Sequence, residues 1–193
     1  MPILGENILL REEREEDIPL LVLLQNTKET QGWNKTLPYN VTIPMFKKRF
    51  ETEEFSYDPE KAKFIIEECE TGEVIGYISY SDHQLRMCAT IGLKIFKKFW
   101  GKNYAYEAQE LILEFLFEEL GVRIVNLYTH SGNRGAIKLA ERSGFTLSAI
   151  MRQSIYKWGQ LLDMCVYDLP REEYYKIHKE LTNNLPNLFL KKQ

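Results

Sequence analysis

Seven consecutive residues, Phe99-Trp100-Gly101-Lys102-Asn103-Tyr104-Ala105, combine what an anionic phosphate needs from a chain. They stand where a strand pattern gives way to a helix pattern, and a helix start offers unpaired N–H groups with a partial positive charge. Gly101 lets a ligand approach the main chain closely. Asn103 is one of the few non-glycine residues that tolerate a left-handed backbone. Lys97, Lys98 and Lys102 add mobile positive charge. A simple surface turn before a helix could hold the same residues, and at this level both readings stand. No G-x-x-x-x-G-K-[ST] loop and no G-x-G-x-x-G fingerprint occurs, so the two commonest nucleotide loops are absent.

A second group of reactive residues closes a later strand: Tyr128, His130 and Ser131. The unperturbed pKa of histidine lies near neutrality, so His130 could act as a base; a loop histidine without a chemical role is the competing reading. Asp82 and His83 follow another strand and read as a solvated loop, and Glu67, Glu68 and Glu70 as an exposed strand end. Trp33, Tyr39, Phe55 and Tyr57 could line an acceptor pocket or simply pack. Cys69, Cys88 and Cys165 are scattered and odd in number, which argues against a disulfide framework or a zinc site. No metal is expected, and a reducing cytoplasm fits best.

These residues need elements to hold them. Ile8-Leu9-Leu10-Arg11 reads as a strand, and Asp17 as the N-cap of a helix through about Asn26 with Pro19 in its first turn. Gln31 to Asn40 reads as a loop. Thr42 and Pro44 open a helix to about Glu53. Lys63–Glu67, Val74–Ser81 and Cys88–Ile95 read as strands, the first two joined at Thr71-Gly72. Ala108, Leu111, Ile112 and Phe115 form the apolar stripe of the helix after Asn103, which Gly121 ends. Val122–Tyr128 is then a strand, Asn133–Ser143 a helix capped by Gly144, and Phe145–Ile155 with Leu161–Tyr167 a hairpin turning at Trp158-Gly159. Pro170 starts a last helix. The order β-α-α-β-β-β-α-β-α-β-β-α implies an α/β chain with a mixed sheet of about seven strands and helices on both faces. Leu185 to Gln193 has no assigned element; Leu188-Phe189-Leu190 could pack on the domain or on a second copy in a homodimer.

The 193 residues suit a single domain spanning 1–193. A net charge of −3 gives no electrostatic reason to expect nucleic acid. The longest apolar run, Ile18 to Leu24, contains Pro19 and is shorter than the roughly 20 residues of a membrane span. The N-terminus has no basic stretch followed by an apolar one, so no signal peptide is expected.

The loop Lys98-Phe99-Trp100-Gly101-Lys102-Asn103 resembles the pyrophosphate loop [QR]-x-x-G-x-[GA] of the GNAT superfamily, with Lys98 for Gln or Arg and Asn103 for Gly. Asn133-Arg134-Gly135-Ala136-Ile137 followed by Arg142-Ser143-Gly144-Phe145 resembles the family's N-x-x-A-I…[KR]-x-G-F helix. Asn7-Ile8-Leu9-Leu10-Arg11 with Asp17, and the ending Trp158 to Met164 with Glu172-Glu173-Tyr174, resemble the branch holding the RimJ/RimL ribosomal-protein and spermidine acetyltransferases. The likeness spans about residues 7 to 175. It implies the acyl-CoA N-acyltransferase fold, in which the fourth and fifth strands splay around the pantetheine arm. Acetyl-CoA would be the co-substrate. Backbone groups of Leu93, Lys94 and Ile95 would hold the arm, and Lys98 and Phe99 through Ala105 the pyrophosphate. Asn133 would bond the pantetheine or pyrophosphate region, and Arg142 would lie near the adenosine end. The acceptor would be a protein N-terminus (a ribosomal protein first), a polyamine or a small-molecule amine. The family's usual proton donors are missing: Ala140 stands at the tyrosine position and Ala136 at the serine position. Tyr128, His130 and Ser131 are the remaining candidates for catalysis. A non-catalytic acetyl-CoA sensor is the alternative that those alanines keep open.

Overall fold

A computed structural model describes residues 2–33, 40–54, 60–84 and 86–178. One mixed sheet organises the chain. Its strands are β1 (Ile3–Leu4), β2 (Ile8–Glu12), β3 (Ala62–Glu68), β4 (Val74–Gln84), β5 (Cys88–Ile95), β6 (Ile124–His130), β7 (Thr146–Lys157) and β8 (Gln160–Pro170). Their order in space is β1-β2-β3-β4-β5-β6-β8-β7, and all pairs are antiparallel except β5 with β6. That parallel pair requires a crossover, which α4 (Tyr104–Glu114) supplies. The other helices are α1 (Ile18–Asn26), α2 (Lys28–Trp33), α3 (Ile43–Glu54), α5 (Arg134–Arg142) and α6 (Arg171–Ile177).

The alternation of the strands sorts side chains into two cores. Ile8, Leu10, Ile66, Ile78, Ala89, Ile91 and Val125 meet Ala108, Ile112, Leu116 and Tyr174 on the α4 face. Ile65 and Tyr77 meet Ile18, Leu21, Leu24 and Phe46 on the α1 face. The first core is the larger, and the fully buried side of α4 forms much of it.

Several expectations change. The sequence pattern implies about seven strands, but eight are present among the described residues. The added one, β1, is two residues long and exists only through its pairing with Leu9 and Leu10, so it carries no local signal. Lys28–Trp33 is helical where a loop is expected from Gln31, while residues 34–39 lie outside the described set, as do Tyr39, Phe55, Tyr57 and the 185–193 tail. Asp17 does not cap α1 with its side chain. Its carboxylate instead accepts from the Arg14 N–H at 2.8 Å and from the Arg11 guanidinium. A cation one strand away outcompetes the local cap. The helix expected over Asn133–Ser143 and the Trp158-Gly159 turn fall where the sequence puts them, with Asn133 as the N-cap.

Candidate active site

The sheet opens into a fork between β5 and β6. The two strands pair from Cys88↔Ile124 to Ile91↔Leu127 and no further. Gly92 to Ile95 continue against β4 alone, and Tyr128 to His130 against β8 alone. Gly76 on β4 lies against the diverging end of β5. A Cβ built there would lie 2.1 Å from the Lys94 carbonyl oxygen, so only glycine lets the end of β5 press so closely onto β4.

Backbone direction alternates along β5. The Phe96 N–H donates to the Ile75 carbonyl at 3.0 Å, so Phe96 and, two residues back, Lys94 turn their backbone groups toward β4. Leu93 and Ile95 turn theirs into the fork. The Ile95 carbonyl there accepts from the indole N–H of Trp100 at 3.0 Å, which ties the following loop to the strand end.

That loop carries a row of available donors. Phe99 is buried and stands edge-on to Tyr104, anchoring the loop from below. Gly101 and Asn103 both take left-handed conformations, with φ of 79° and 70°. Tyr106 and Glu107 donate back to the Asn103 carbonyl, both at 3.1 Å. Among the described residues, nothing accepts from the N–H groups of Gly101, Lys102, Asn103, Tyr104 or Ala105. A left-handed residue beside helical ones turns successive N–H groups to one side, which makes an anion-binding concavity.

The side chains around the loop have settled partners. Lys98 pairs with Glu73, and Lys97 with Glu29 at 3.1 Å. Lys102 lies over the rings of Phe99 and Tyr104 and meets no carboxylate within the described set. The Tyr104 hydroxyl donates to Glu68, a bond that pushes its pKa up to about 12. Arg142, at the end of α5, donates to Asn103 Oδ1 at 2.7 Å and stacks its guanidinium 3.7 Å over the Tyr106 ring. It thereby holds the strained Asn103 in place. Asn133 caps α5, its Oδ1 accepting from the Ala136 N–H at 3.3 Å. Asn7 reaches the same region: its backbone N–H and side-chain amide bond the carboxylate of Glu107 on α4 at 2.7 and 3.0 Å.

The β6 prong carries the three reactive residues. Val125 and Leu127 pack into the α4-side core, so Tyr128 and His130 project to the α1 face. Tyr128 is half exposed, and Ser131 is exposed. The Ser131 N–H donates to the Asp163 carbonyl at 2.9 Å. His130 is buried, its ring edge-on to Trp158 at 5.8 Å. A Cβ on Gly132 would come within 3.2 Å of that ring. Ala140 is completely buried in the core.

Sequence reasoning missed a cluster on the opposite prong. The Lys94 side chain points to the α1 face, donates to Gln25 Oε1 at 2.7 Å and lies 5.7 Å from the centre of the Tyr77 ring. Burial, reinforced by the charges of Lys63 and Lys157, pushes its pKa down to about 8. Burial also lifts Tyr77, whose hydroxyl accepts from Gln25 at 2.8 Å, to about 12. The available signal was a lysine between two apolar residues inside a strand, on the face a helix must cover. No cluster of His, Cys, Asp or Glu among the described residues could hold a metal.

Comparison with known proteins agrees with this geometry. Residues 7–146 match the model of the acetyltransferase (GNAT) domain. The SPbeta prophage-derived uncharacterized N-acetyltransferase YokL of Bacillus subtilis is 28% identical over 178 residues, covering 90% of this chain and 96% of its own length. The uncharacterized N-acetyltransferase p20 of Bacillus licheniformis is 24% identical over 170 residues, covering 88% and 96%. The spermidine N-acetyltransferase of Vibrio cholerae, solved with CoA and spermine, superposes with a TM-score of 0.81 at 18% identity, over 88% of this chain and 99% of that one. The ribosomal L7/L12 α-N-protein acetyltransferase RimL, solved with CoA, gives 0.77 at 19% identity over 88% and 98%.

Proposed function

Since the chain belongs to the GNAT acetyltransferase family, we propose that it moves an acetyl group from acetyl-CoA to an amine at the β5–β6 fork. The observation that carries this reading is the fork itself, which ends in the free N–H row from Gly101 to Ala105. Leu93 and Ile95 face the fork with their backbone groups and would hold the pantetheine arm as an added strand does. The N–H groups of the loop, with Lys102 beside them, would take the pyrophosphate. Lys98, committed to Glu73, would contribute only after releasing that partner. Asn133 retains its Nδ2 for a pantetheine contact, and Arg142 acts by fixing Asn103 near the adenosine end.

Transfer needs a neutral amine to attack the thioester carbonyl. The Leu93 N–H, turned into the fork, would donate to the carbonyl oxygen as charge grows there. A base must remove a proton from the incoming ammonium, and an acid must meet the departing thiolate. Tyr128 on β6 and Ser131 just after it are exposed, and His130 lies between them in sequence, its ring edge-on to Trp158. The polyamine and N-terminal acceptors of the structural neighbours make an amine the natural acceptor class. A cytoplasmic setting is supported by three free cysteines, and no described helix is long and apolar enough to cross a membrane.

Acetyl-CoA at saturating concentration is expected to raise the melting temperature of the wild-type protein, and Gly101→Pro to abolish the shift by removing a donor and restricting the loop. A thiol-release assay over a panel of amines then reads transfer. A Gly101→Pro variant that binds normally would move the pyrophosphate elsewhere. Thiol release from no amine would overturn the transferase reading.

A further inference from the structure

The acceptor must reach the fork from one side, and that side has a chemical character. On the α4 face the fork is closed, because Ile91 and Ile95 are core residues and Leu93 packs against them. The α1 face is the remaining approach, and there Gly92 and Lys94 point. Lys94 is the central charge on it. Its partners among the described residues are a neutral amide and a phenol ring, and no described carboxylate acts on it. Lys63 and Lys157 add like charge, and Lys157 is itself buried, with its pKa pushed down by desolvation. The nearby carboxylate of Glu13 is already engaged twice, by Lys63 at 2.8 Å and by Arg49 at 3.1 Å.

A desolvated ammonium among like charges costs folding energy unless an anion comes to it. A polyamine would bring further ammonium groups to this face and meet repulsion, whereas an anion would relieve it. On the transferase reading above, we propose that the acceptor is a small amine that also carries an anionic group, a carboxylate or a phosphate, and that Lys94 receives that group. The pKa of Lys94 near 8 is what an ammonium still waiting for its counter-charge would show. Lys94 then sets specificity, and the amine is presented to the fork by the distance between its nitrogen and its anionic end.

The test uses matched acceptors that differ by one negative charge: an α-amino acid against its amide, and 2-aminoethyl phosphate against ethanolamine, with spermidine beside them. Thiol release gives kcat/KM for each. In the wild-type protein at least one anionic member is expected to exceed its neutral partner tenfold or more, with spermidine slowest. The two pairs tell carboxylate from phosphate. Lys94→Met should bring the ratio to about one, and Lys94→Arg should restore part of it. Spermidine or the neutral amines turning over as well as the acids would overturn this proposal alone, as would a ratio that survives Lys94→Met. No turnover of any amine would overturn it together with the transferase reading.

Discussion

Arg11 on β2 and Lys94 on β5 both leave the sheet toward α1, and both are shielded from water. Arg11 meets two carboxylates there. Its Nη1 and Nη2 bond Asp17 at 2.8 Å each, and its Nε bonds Glu67 at 2.5 Å. Its pKa is raised, chiefly by the Asp17 bond, and the Asp17 carboxyl, which burial would lift, is held below its ordinary value by Arg11 and by the Arg14 N–H. Lys94 meets an amide and a ring, and its pKa falls. Arg11 satisfies a planar fork of donors with fixed acceptors, as guanidinium does well. Lys94 is a compact charge with acceptor capacity left over. Among the described residues the same sheet face therefore holds one cation completed by carboxylates and one that is not, and the second stands at the fork.

The largest expected effect breaks the completed site. Arg11→Met leaves Asp17 and Glu67 shielded without their cation and should cost about 3–5 kcal/mol in denaturant unfolding. A loss below about 1 kcal/mol would mean that the cluster is not architectural. Asp17 adds an acid limb. Its folded pKa lies below its unfolded one, so its contribution is full above the unfolded value of 3.8 and disappears as pH falls through the lower folded value.

The next effect has the opposite sign. Lys94→Met removes a charge that no described carboxylate compensates and should stabilise the protein by something on the order of 1–3 kcal/mol at neutral pH. Its folded pKa of about 8 lies below the ordinary 10.5, so between these values the unfolded chain holds a proton that the folded chain has lost. Wild-type stability should consequently rise with pH from about 8 to 10.5, and the variant should lose that rise. Urea titrations across this window check it. A variant less stable than wild type at pH 7 would show that Lys94 is as complete as Arg11.

This contrast marks where the sequence was legible. The Asn103 turn, the helix after Asn133 and the β5 limits Cys88–Ile95 depend on residues within a few positions of one another, so local chemistry exposes them. Arg11 and Asp17 were visible as a motif, but their pairing overrides the local capping rule, and Arg11 is completed by Glu67, 56 residues away. The β5–β6 ladder ends at Ile91, and beyond it the close approach of β5 to β4 needs Gly76 in a third strand. The neighbours of Lys94 come from α1, β3, β4 and β7, and no window of sequence joins Gln25, Lys63, Tyr77 and Lys157. Pattern identifies elements and turns; electrostatic environments are made by packing.

The smallest effect sharpens the contrast at Gln25. Its amide spans the two groups, accepting from Lys94 and donating to the Tyr77 hydroxyl. Gln25→Leu keeps the side-chain volume close to the original but removes the acceptor that stabilises the charged form of Lys94. The folded pKa of Lys94 should then drop below 8, because a hydrogen bond to a charged group favours that form. The cost at pH 7 should be about 1–2 kcal/mol, within the range for a bond to a charged partner. It should shrink as pH rises past 8, since Lys94 is then neutral in the folded state with or without its acceptor. A cost that stays constant up to pH 10 would assign it to the Tyr77 bond instead, and Gln25 would be a partner of the ring rather than of the ammonium.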